Sequence, residues 1–227
     1  MTFTGFRAEA FDFYDGLVAD NTKAYWSDHK DDYQRLIREP YEQLALDVSD
    51  DFGEGHIYRP YRDLRFSKDK TPYKDHQGMY VEMRNGIGWY VQLNRDGLMI
   101  AGGWYMASSE QIQRFRRAVD SPRADELEAL VASTTTAGFT IDGDQLKTRP
   151  RGVDPQHPRL HLLRYKSIYA HRQWEPAAWM GTRECGHRIR EGWSALTPLM
   201  GWLADVAGPG EKPVGSRRGK GRTDTSS

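Results

Sequence analysis

The stretch QGMYVEMRNGIGWYVQLNRDGLMIAGGW, residues 77–104, decides the fold of this chain. Apolar and polar side chains alternate along it in successive runs, which is the two-residue period of strands with one buried face. Asn85-Gly86 and Asp96-Gly97 separate the runs, and such pairs are strong signals for tight hairpin turns. The stretch therefore predicts a three-stranded antiparallel meander, with Gly102-Gly103 closing the last strand.

Helical patterns precede the meander. Apolar side chains recur with helical spacing between residues 4 and 37, and Thr4 and Asn21 are the predicted N-caps of two helices. His29 lies on the apolar stripe of the second helix, where a hydrogen-bonded structural histidine is the expected role. Pro40 suits the first turn of a short third helix.

Helical and strand-like patterns both follow the meander. The helical patterns cover residues 108–119, 123–133 and 181–204, and Pro198 should bend or divide the last of these helices. The strand-like runs cover residues 139–141, 145–147, 160–164 and 167–171, with an Asp-Gly pair between the first two that predicts a hairpin. Together these patterns predict an α+β fold, with a mostly antiparallel sheet, helices packed on it, and helical N- and C-terminal segments.

The amino-acid composition limits how many domains the chain can form and which kinds of partner it can bind. The 227 residues are 38% apolar, which is enough for one core, and no Pro/Gly/Ser-rich linker divides the chain before residue 207. We therefore expect a single domain at residues 1–207 and a disordered basic tail at residues 208–227. The 32 basic residues balance 32 acidic ones, which argues against binding of nucleic acid by bulk electrostatics.

Signals for metals, cofactors and membranes are missing from the sequence. Cys185 is the only cysteine, so one chain contains neither a disulfide framework nor a multi-cysteine zinc site. The sequence has no phosphate-binding loop and no dinucleotide fingerprint, so we expect no cofactor. No run approaches about 18 apolar residues, and no secretory signal opens the chain, so we expect a cytoplasmic protein without a membrane anchor.

A charged connector leads into the meander. It is RPYRDLRFSKDKTPYKD, residues 59–75, and it holds six cations, three carboxylates and three aromatic rings. Arginine can grip phosphate or carboxylate with two parallel hydrogen bonds, lysine supplies a point charge, and tyrosine adds a directional donor. The candidate ligand-binding cations are Arg59, Arg62, Arg65, Lys68, Lys70 and Lys74.

The connector also carries a family resemblance. Residues 61–74 are similar to the hallmark run of the uncharacterised bacterial and fungal proteins grouped as domain of unknown function 2461. Asn21, Tyr25-Trp26, His29-Lys30 and Tyr33 resemble family positions near the N-terminus, although Thr22 replaces a usual asparagine there. The resemblance extends over roughly residues 5–205 and implies membership of a family without an established activity.

Two functional hypotheses of different class follow from the connector. In the first, the protein is an enzyme or ligand-binding domain for a small phosphorylated or carboxylated molecule, with Asp63, Tyr61 and Tyr73 as candidate proton carriers. Gly102 and Gly103 would join the site if the connector lies beside them. In the second, the connector is a salt-bridged clasp in a non-catalytic interaction module with an unidentified protein partner. Direct contact with nucleic acid is a third, less favoured interpretation.

Overall fold

The computed structural model describes residues 2–65 and 70–209, and the description below is confined to them. Within these residues the strands are β1 (Gly55–Ile57), β2 (His76–Arg84), β3 (Ile87–Asn94), β4 (Gly97–Trp104), β5 (Thr140–Asp142) and β6 (Ile168–Trp174). They form one six-stranded sheet in the order β1-β2-β3-β4-β6-β5, and every neighbouring pair is antiparallel.

The N-terminal helical region is longer and less interrupted than predicted. Helices α1 (Ala8–Ala19), α2 (Lys23–Tyr33) and α3 (Glu39–Phe52) precede the sheet, and α2 and α3 are joined by a π-helical segment, Gln34–Arg38. The π segment lies directly before Pro40, whose missing N–H removes the usual i→i−4 hydrogen bond. The wider turn therefore lets the helix continue through the proline instead of restarting at it.

Neither predicted N-cap at this end is correct. Thr4 does not cap α1, because Gly5 adopts a φ of 101° and the chain stays extended, with Phe6 N donating to Met180 O at 2.6 Å. Arg7 precedes α1 without a side-chain cap. Thr22, not Asn21, caps α2, since its hydroxyl accepts a hydrogen bond from Tyr25 N at 3.2 Å.

The predicted meander is confirmed as β2, β3 and β4. Asn85 and Gly86 both have positive φ, 58° and 78°, as a type I′ hairpin turn requires. The second turn lies one residue earlier than predicted, because Asn94 pairs with Gly97 and leaves Arg95 and Asp96 as the turn residues.

The region after β4 agrees with the sequence in its helices but not in all of its strands. Helices α4 (Ser109–Val119) and α5 (Arg123–Thr136) are present, and Ser108 and Gln111 form a capping box at the start of α4. The hairpin predicted at residues 139–147 is wrong, because β5 pairs with β6 and only an isolated bridge joins Gln145 to Tyr165. The strand predicted at residues 160–164 is also wrong: a single helical turn, α6 (Leu160–Leu163), buries its leucines there.

The C-terminal helix α7 (Glu184–Ala207) packs along β3 and β4 and forms a large part of the core with them. Pro198 does not divide it, since buried side chains on both sides of the proline hold the helix against the sheet. Trp89 Nε1 donates to Trp193 O at 3.0 Å, and Trp193 Nε1 donates to Tyr90 O at 3.2 Å. These two hydrogen bonds fix α7 to β3.

The predicted α+β class is therefore correct, including the antiparallel sheet and the helical termini. A search of the helices in residues 2–65 and 70–209 finds none with the length and apolarity to cross a bilayer. The tail predicted from residue 208 lies outside the described residues from residue 210 onward.

Candidate functional site

The connector forms an irregular hairpin beyond the end of the sheet where β2 begins. Tyr58 N donates to Gly78 O at 3.1 Å, which continues the pairing of β1 with β2. Farther out, Lys74 N donates to Pro60 O at 2.8 Å, and Arg62 N donates to Pro72 O at 2.9 Å. Residues 66–69 of the connector lie outside the described residues, and Lys68 is one of them.

Asn21 fastens the connector to the N-terminal helices. Its side-chain Nδ2 donates to Tyr73 O at 3.1 Å, and its Oδ1 accepts from Tyr73 N at 3.0 Å. A primary amide can satisfy a donor and an acceptor of one residue in this way, much as a neighbouring strand would. Asn21 thus holds the connector across 52 residues of sequence rather than capping a helix.

Aromatic rings fill the space between α2 and the connector. Trp26 stacks on Tyr73 with ring centroids 4.3 Å apart and an interplanar angle of 9°. Tyr61 lies 5.8 Å from Trp26 and forms an isolated β-bridge with Tyr73. Because Trp26 and Tyr73 are buried, this stack anchors the connector at its second half.

Buried Gln77 links helices α2 and α3 to Tyr58, which lies just before the connector. Its Oε1 accepts a hydrogen bond from Tyr33 Oη at 2.7 Å, and its Nε2 donates to Tyr58 O at 2.7 Å and to Gly78 O at 2.9 Å. Tyr41 Oη donates to the main-chain oxygen of Gln77 at 2.8 Å. Burial raises the pKa of Tyr33 to about 12, so this phenol remains a donor at neutral pH.

Two of the connector arginines, Arg62 and Arg65, bind the connector itself. Arg65 contacts Asp63 through two nitrogens, with Nη2–Oδ2 and Nε–Oδ1 distances of 2.6 and 2.9 Å. This hydrogen bonding holds the pKa of the Asp63 carboxyl well below its usual range. Arg62 Nε donates to Tyr73 O at 2.9 Å, and its guanidinium lies 3.4 Å from Asp75.

The other described cations are less firmly engaged. Lys70 Nζ donates to Leu64 O at 3.0 Å. Lys74 lies over the ring of Tyr58 at 5.2 Å, and partial burial lowers its pKa, with the nearby charges of Arg59 and Arg62 adding to the effect. Arg59 is exposed and has no carboxylate within 4.0 Å among the described residues.

The structure does not bring Gly102 and Gly103 to the connector, so the predicted composite site is wrong. The connector enters the sheet at His76, whereas Gly102 shares a row with Trp89 and Val81, five residues farther along β2. That separation is roughly 16 Å along the strand. Tight packing explains both glycines, since a Cβ on Gly102 would lie 2.6 Å from Met200 Sδ and one on Gly103 would lie 2.5 Å from Tyr169 Cα.

A pocket of about 280 Å³ opens where the connector meets α2 and the π segment. Trp26 and Tyr61 form its aromatic wall, and the helical side contributes two cations, Lys30 and Arg38, and one carboxylate, Asp31. Arg38 Nε is held by Glu42 at 2.7 Å, while Lys30 makes no ion pair within the described residues. Sequence reasoning missed Arg38, and it quoted Lys30 only as part of a motif, because helical periodicity alone does not show which exposed residues face a distant connector.

The candidate proton carriers have different environments. Tyr73 is buried in the aromatic stack, and burial raises its pKa. Asp63 is committed to Arg65. Tyr61 is 46% exposed and lines the pocket, so it is the one of the three that a bound molecule would contact there.

The described geometry defines an α+β domain with an aromatic and cationic pocket beside a fastened connector. Comparison with protein families adds an identity: the model described as "Conserved hypothetical protein (DUF2461)" matches residues 9–202, and the chain belongs to this family. No curated protein and no solved structure matches the chain. Across residues 2–65 and 70–209, no group of three or more His, Cys, Asp or Glu side chains is arranged to hold a metal ion.

Replacing Asn21 with aspartate is expected to lower the free energy of unfolding by about 1–3 kcal/mol. The carboxylate would still accept from Tyr73 N, but it has no hydrogen to donate to Tyr73 O. Urea unfolding followed by far-UV circular dichroism measures the change. Asn94→Asp is the matched control, since the Asn94 side chain serves as an acceptor, from Asp96 N. Equal losses in the two variants would contradict the fastening role.

Proposed function

We propose that the protein binds a small anionic molecule, phosphorylated or carboxylated, in the pocket between the connector and the α2–π helical region. The observation that carries this proposal is the combination of Lys30 and Arg38 with the aromatic wall of Trp26 and Tyr61 around a volume of about 280 Å³. Ligand sites commonly combine apolar walls with a few convergent polar groups. The proposal is one of binding and assigns no reaction.

Some of the cationic side chains in this region hold the connector in place, and others are positioned to contact a ligand. Arg62 and Arg65 contact the connector itself, so they stiffen the loop that carries Tyr61. Lys30 and Arg59 have no carboxylate within 4.0 Å among the described residues. Arg38 donates its Nε to Glu42 and also hydrogen-bonds Tyr33, which leaves others of its five N–H donors for a ligand. We therefore assign the ligand charge first to Lys30 and Arg38, with Arg59 and Lys74 adding positive potential.

The ligand is expected to carry a planar or apolar group next to its anionic group. Tyr61 offers an exposed ring beside the lysine and arginine, and stacking on this ring would place a charged substituent near the helical side. Net neutrality of the whole chain argues against nucleic acid as the ligand. A cytoplasmic setting fits this proposal, because the single cysteine, Cys185, is buried and no disulfide is needed.

Phenyl phosphate and benzoate are suitable probes, titrated by calorimetry with inorganic phosphate as a ring-free comparison. We expect Lys30→Gln and Arg38→Lys each to weaken binding of the better probe about tenfold, because a charged hydrogen bond contributes about 1.5–3 kcal/mol. Lys23→Gln, an exposed lysine on the same helix, is the control and should bind like the wild type. The proposal fails if the wild type binds neither probe at millimolar concentration, or if all three variants bind equally.

The alternative is that the connector is a clasp in a non-catalytic interaction module. The observation in its favour is the internal pairing of Arg65 with Asp63 and of Arg62 with Asp75. In that case Arg65→Lys and Asp63→Asn would lower the unfolding temperature and no probe would bind. In the anion-binding case a probe binds, and the same variants change the unfolding temperature little. The exposure of the Arg65–Asp63 pair favours this second outcome, since exposed pairs contribute only about 0–1 kcal/mol.

A further inference from the structure

A second pocket, of about 310 Å³, lies between the end of α5, strand β6 and the first turns of α7. Arg172 and Trp174 of β6 line it together with Glu184, Arg188 and Glu191 of α7. None of these residues belongs to the connector or to the pocket proposed above. The volume is that of a site for a small metabolite.

Arg172 is held in place before any ligand arrives. Its guanidinium lies over the ring of Phe139 at 4.3 Å and 5.6 Å from the ring of Trp174. Its Nε donates to Gly138 O at 3.0 Å, and it makes no ion pair with the described residues. Both terminal NH₂ groups are thus without a carboxylate, and a stacked, half-buried arginine loses little side-chain entropy when it binds one.

The pocket has three other charged side chains: Arg188 and Glu184, which form an ion pair, and Glu191. Arg188 Nε donates to Glu184 at 2.9 Å, and the Arg188 guanidinium lies over Trp179 at 4.5 Å, so these two charges offset each other. Glu191 has neither an ion pair nor a side-chain hydrogen bond within the described part of the chain. One cation, Arg172, and one anion, Glu191, therefore line the same pocket, and neither has an ion-pair partner among the residues that the structure describes.

We propose that this pocket binds a small zwitterion of the α-amino acid type. Arg172 would receive the carboxylate with its planar fork, and Glu191 would receive the ammonium group. The apolar part of the ligand would pack against Trp174 and Phe139, whose rings border the same pocket. A plain anion would leave Glu191 unpaired and repelled, and a plain cation would do the same to Arg172, so the charge pattern selects a molecule that carries both charges.

The test uses the full chain and three forms of one probe, L-leucine. Free L-leucine carries both charges, N-acetyl-L-leucine only the carboxylate, and L-leucine methyl ester only the ammonium. Calorimetric titration should show that the free amino acid binds about tenfold more tightly than either derivative, the loss expected when one charged hydrogen bond is removed. L-Phenylalanine and its derivatives form a second series that tests the aromatic walls.

Two variants test separately the contacts to the carboxylate and to the ammonium group of the ligand. Arg172→Lys should reduce affinity for the free amino acid about tenfold and remove the preference over the methyl ester, and Glu191→Gln should remove the preference over the N-acetyl form. Arg117→Lys, an exposed arginine on α4, is the control. Because Glu191 is exposed, Glu191→Gln is expected to fold even if Arg172→Lys does not.

Two results would overturn the inference. One is the absence of binding by the wild type for both series at millimolar concentration. The other is a failure of Glu191 to distinguish the ligands: either the wild type binds the zwitterion and its N-acetyl form equally, or Glu191→Gln keeps the same preference for the zwitterion as the wild type. Neither result bears on phenyl phosphate or benzoate in the connector pocket, so the two proposals fail independently.

Discussion

Replacing Gln77 with methionine is expected to lower the free energy of unfolding by about 3–5 kcal/mol, one of the two largest losses anticipated for a single change in this chain. Methionine has a similar volume, so the substitution leaves little cavity. It removes the acceptor of Tyr33 Oη and the donor to Tyr58 O and Gly78 O, all within hydrogen-bonding distance of the Gln77 amide. Each buried polar group left without a partner costs about 1–3 kcal/mol.

Urea unfolding followed by circular dichroism measures this loss. Gln173→Met is the matched control, because Gln173 lies on β6 with its side chain exposed. The control should change the unfolding free energy by less than about 0.5 kcal/mol. A small loss for Gln77→Met would mean that Tyr33 and Tyr58 find other partners, and the described link between helix α2 and Tyr58 would then be energetically minor.

Gln77→Met should also lower the affinity of the connector pocket for its probes, by more than the loss of folded protein alone explains. Tyr58 begins the loop that carries Tyr61, and Tyr33 borders the same pocket. A variant that is still folded at the temperature of the titration, yet binds the better probe less tightly, would show that the amide orders the pocket wall.

Trp193→Ala is expected to destabilise the protein by a similar amount, about 3–5 kcal/mol. The indole is fully buried between α7 and the sheet, with Phe52 in edge contact at 5.2 Å. Truncation to alanine creates a cavity and removes the hydrogen bond from Trp193 Nε1 to Tyr90 O. The same unfolding measurement applies.

Trp193→Phe separates the two contributions. It keeps most of the ring volume and removes the indole N–H, so its loss should be clearly smaller than that of Trp193→Ala. Trp179→Ala is a control for loss of a tryptophan that is only partly buried. If Trp193→Ala cost no more than Trp179→Ala, the junction of α7 with β3 would not be a principal contributor to stability.

The sequence predicted the central sheet because its information there is local. The pair Asn85-Gly86 specifies a turn with two positive φ values, and the alternation on each side sets which residues face the core. The same local logic failed at residues 160–164, where apolar residues form one helical turn. A run of four or five apolar residues has no period long enough to separate a strand from a helix.

The candidate site was predictable only in part. The density of charge in the connector identified the segment, but the sequence did not show which residues fasten it. Asn21 was predicted as a helix N-cap and matched a family-like asparagine, and Gln77 was an ordinary strand residue. Their contacts span 52 and 44 residues, and no periodicity encodes such distances. The partners of the arginines were not predictable either. Sequence spacing does not show whether Arg65 binds a ligand or Asp63, and in the structure Arg65 forms an ion pair with Asp63.

The two outer strands of the sheet, β1 and β5, are only three residues long each. An incoming chain that tried to lengthen the sheet would find few free N–H and C=O groups at either border, so growth by strand addition has little to template it. The long apolar strands β3 and β4 lie inside, where both of their edges are already occupied. In the folded protein β3 and β4 are therefore closed to strand addition, and they become open to it only where β2 or β6 is stripped from them.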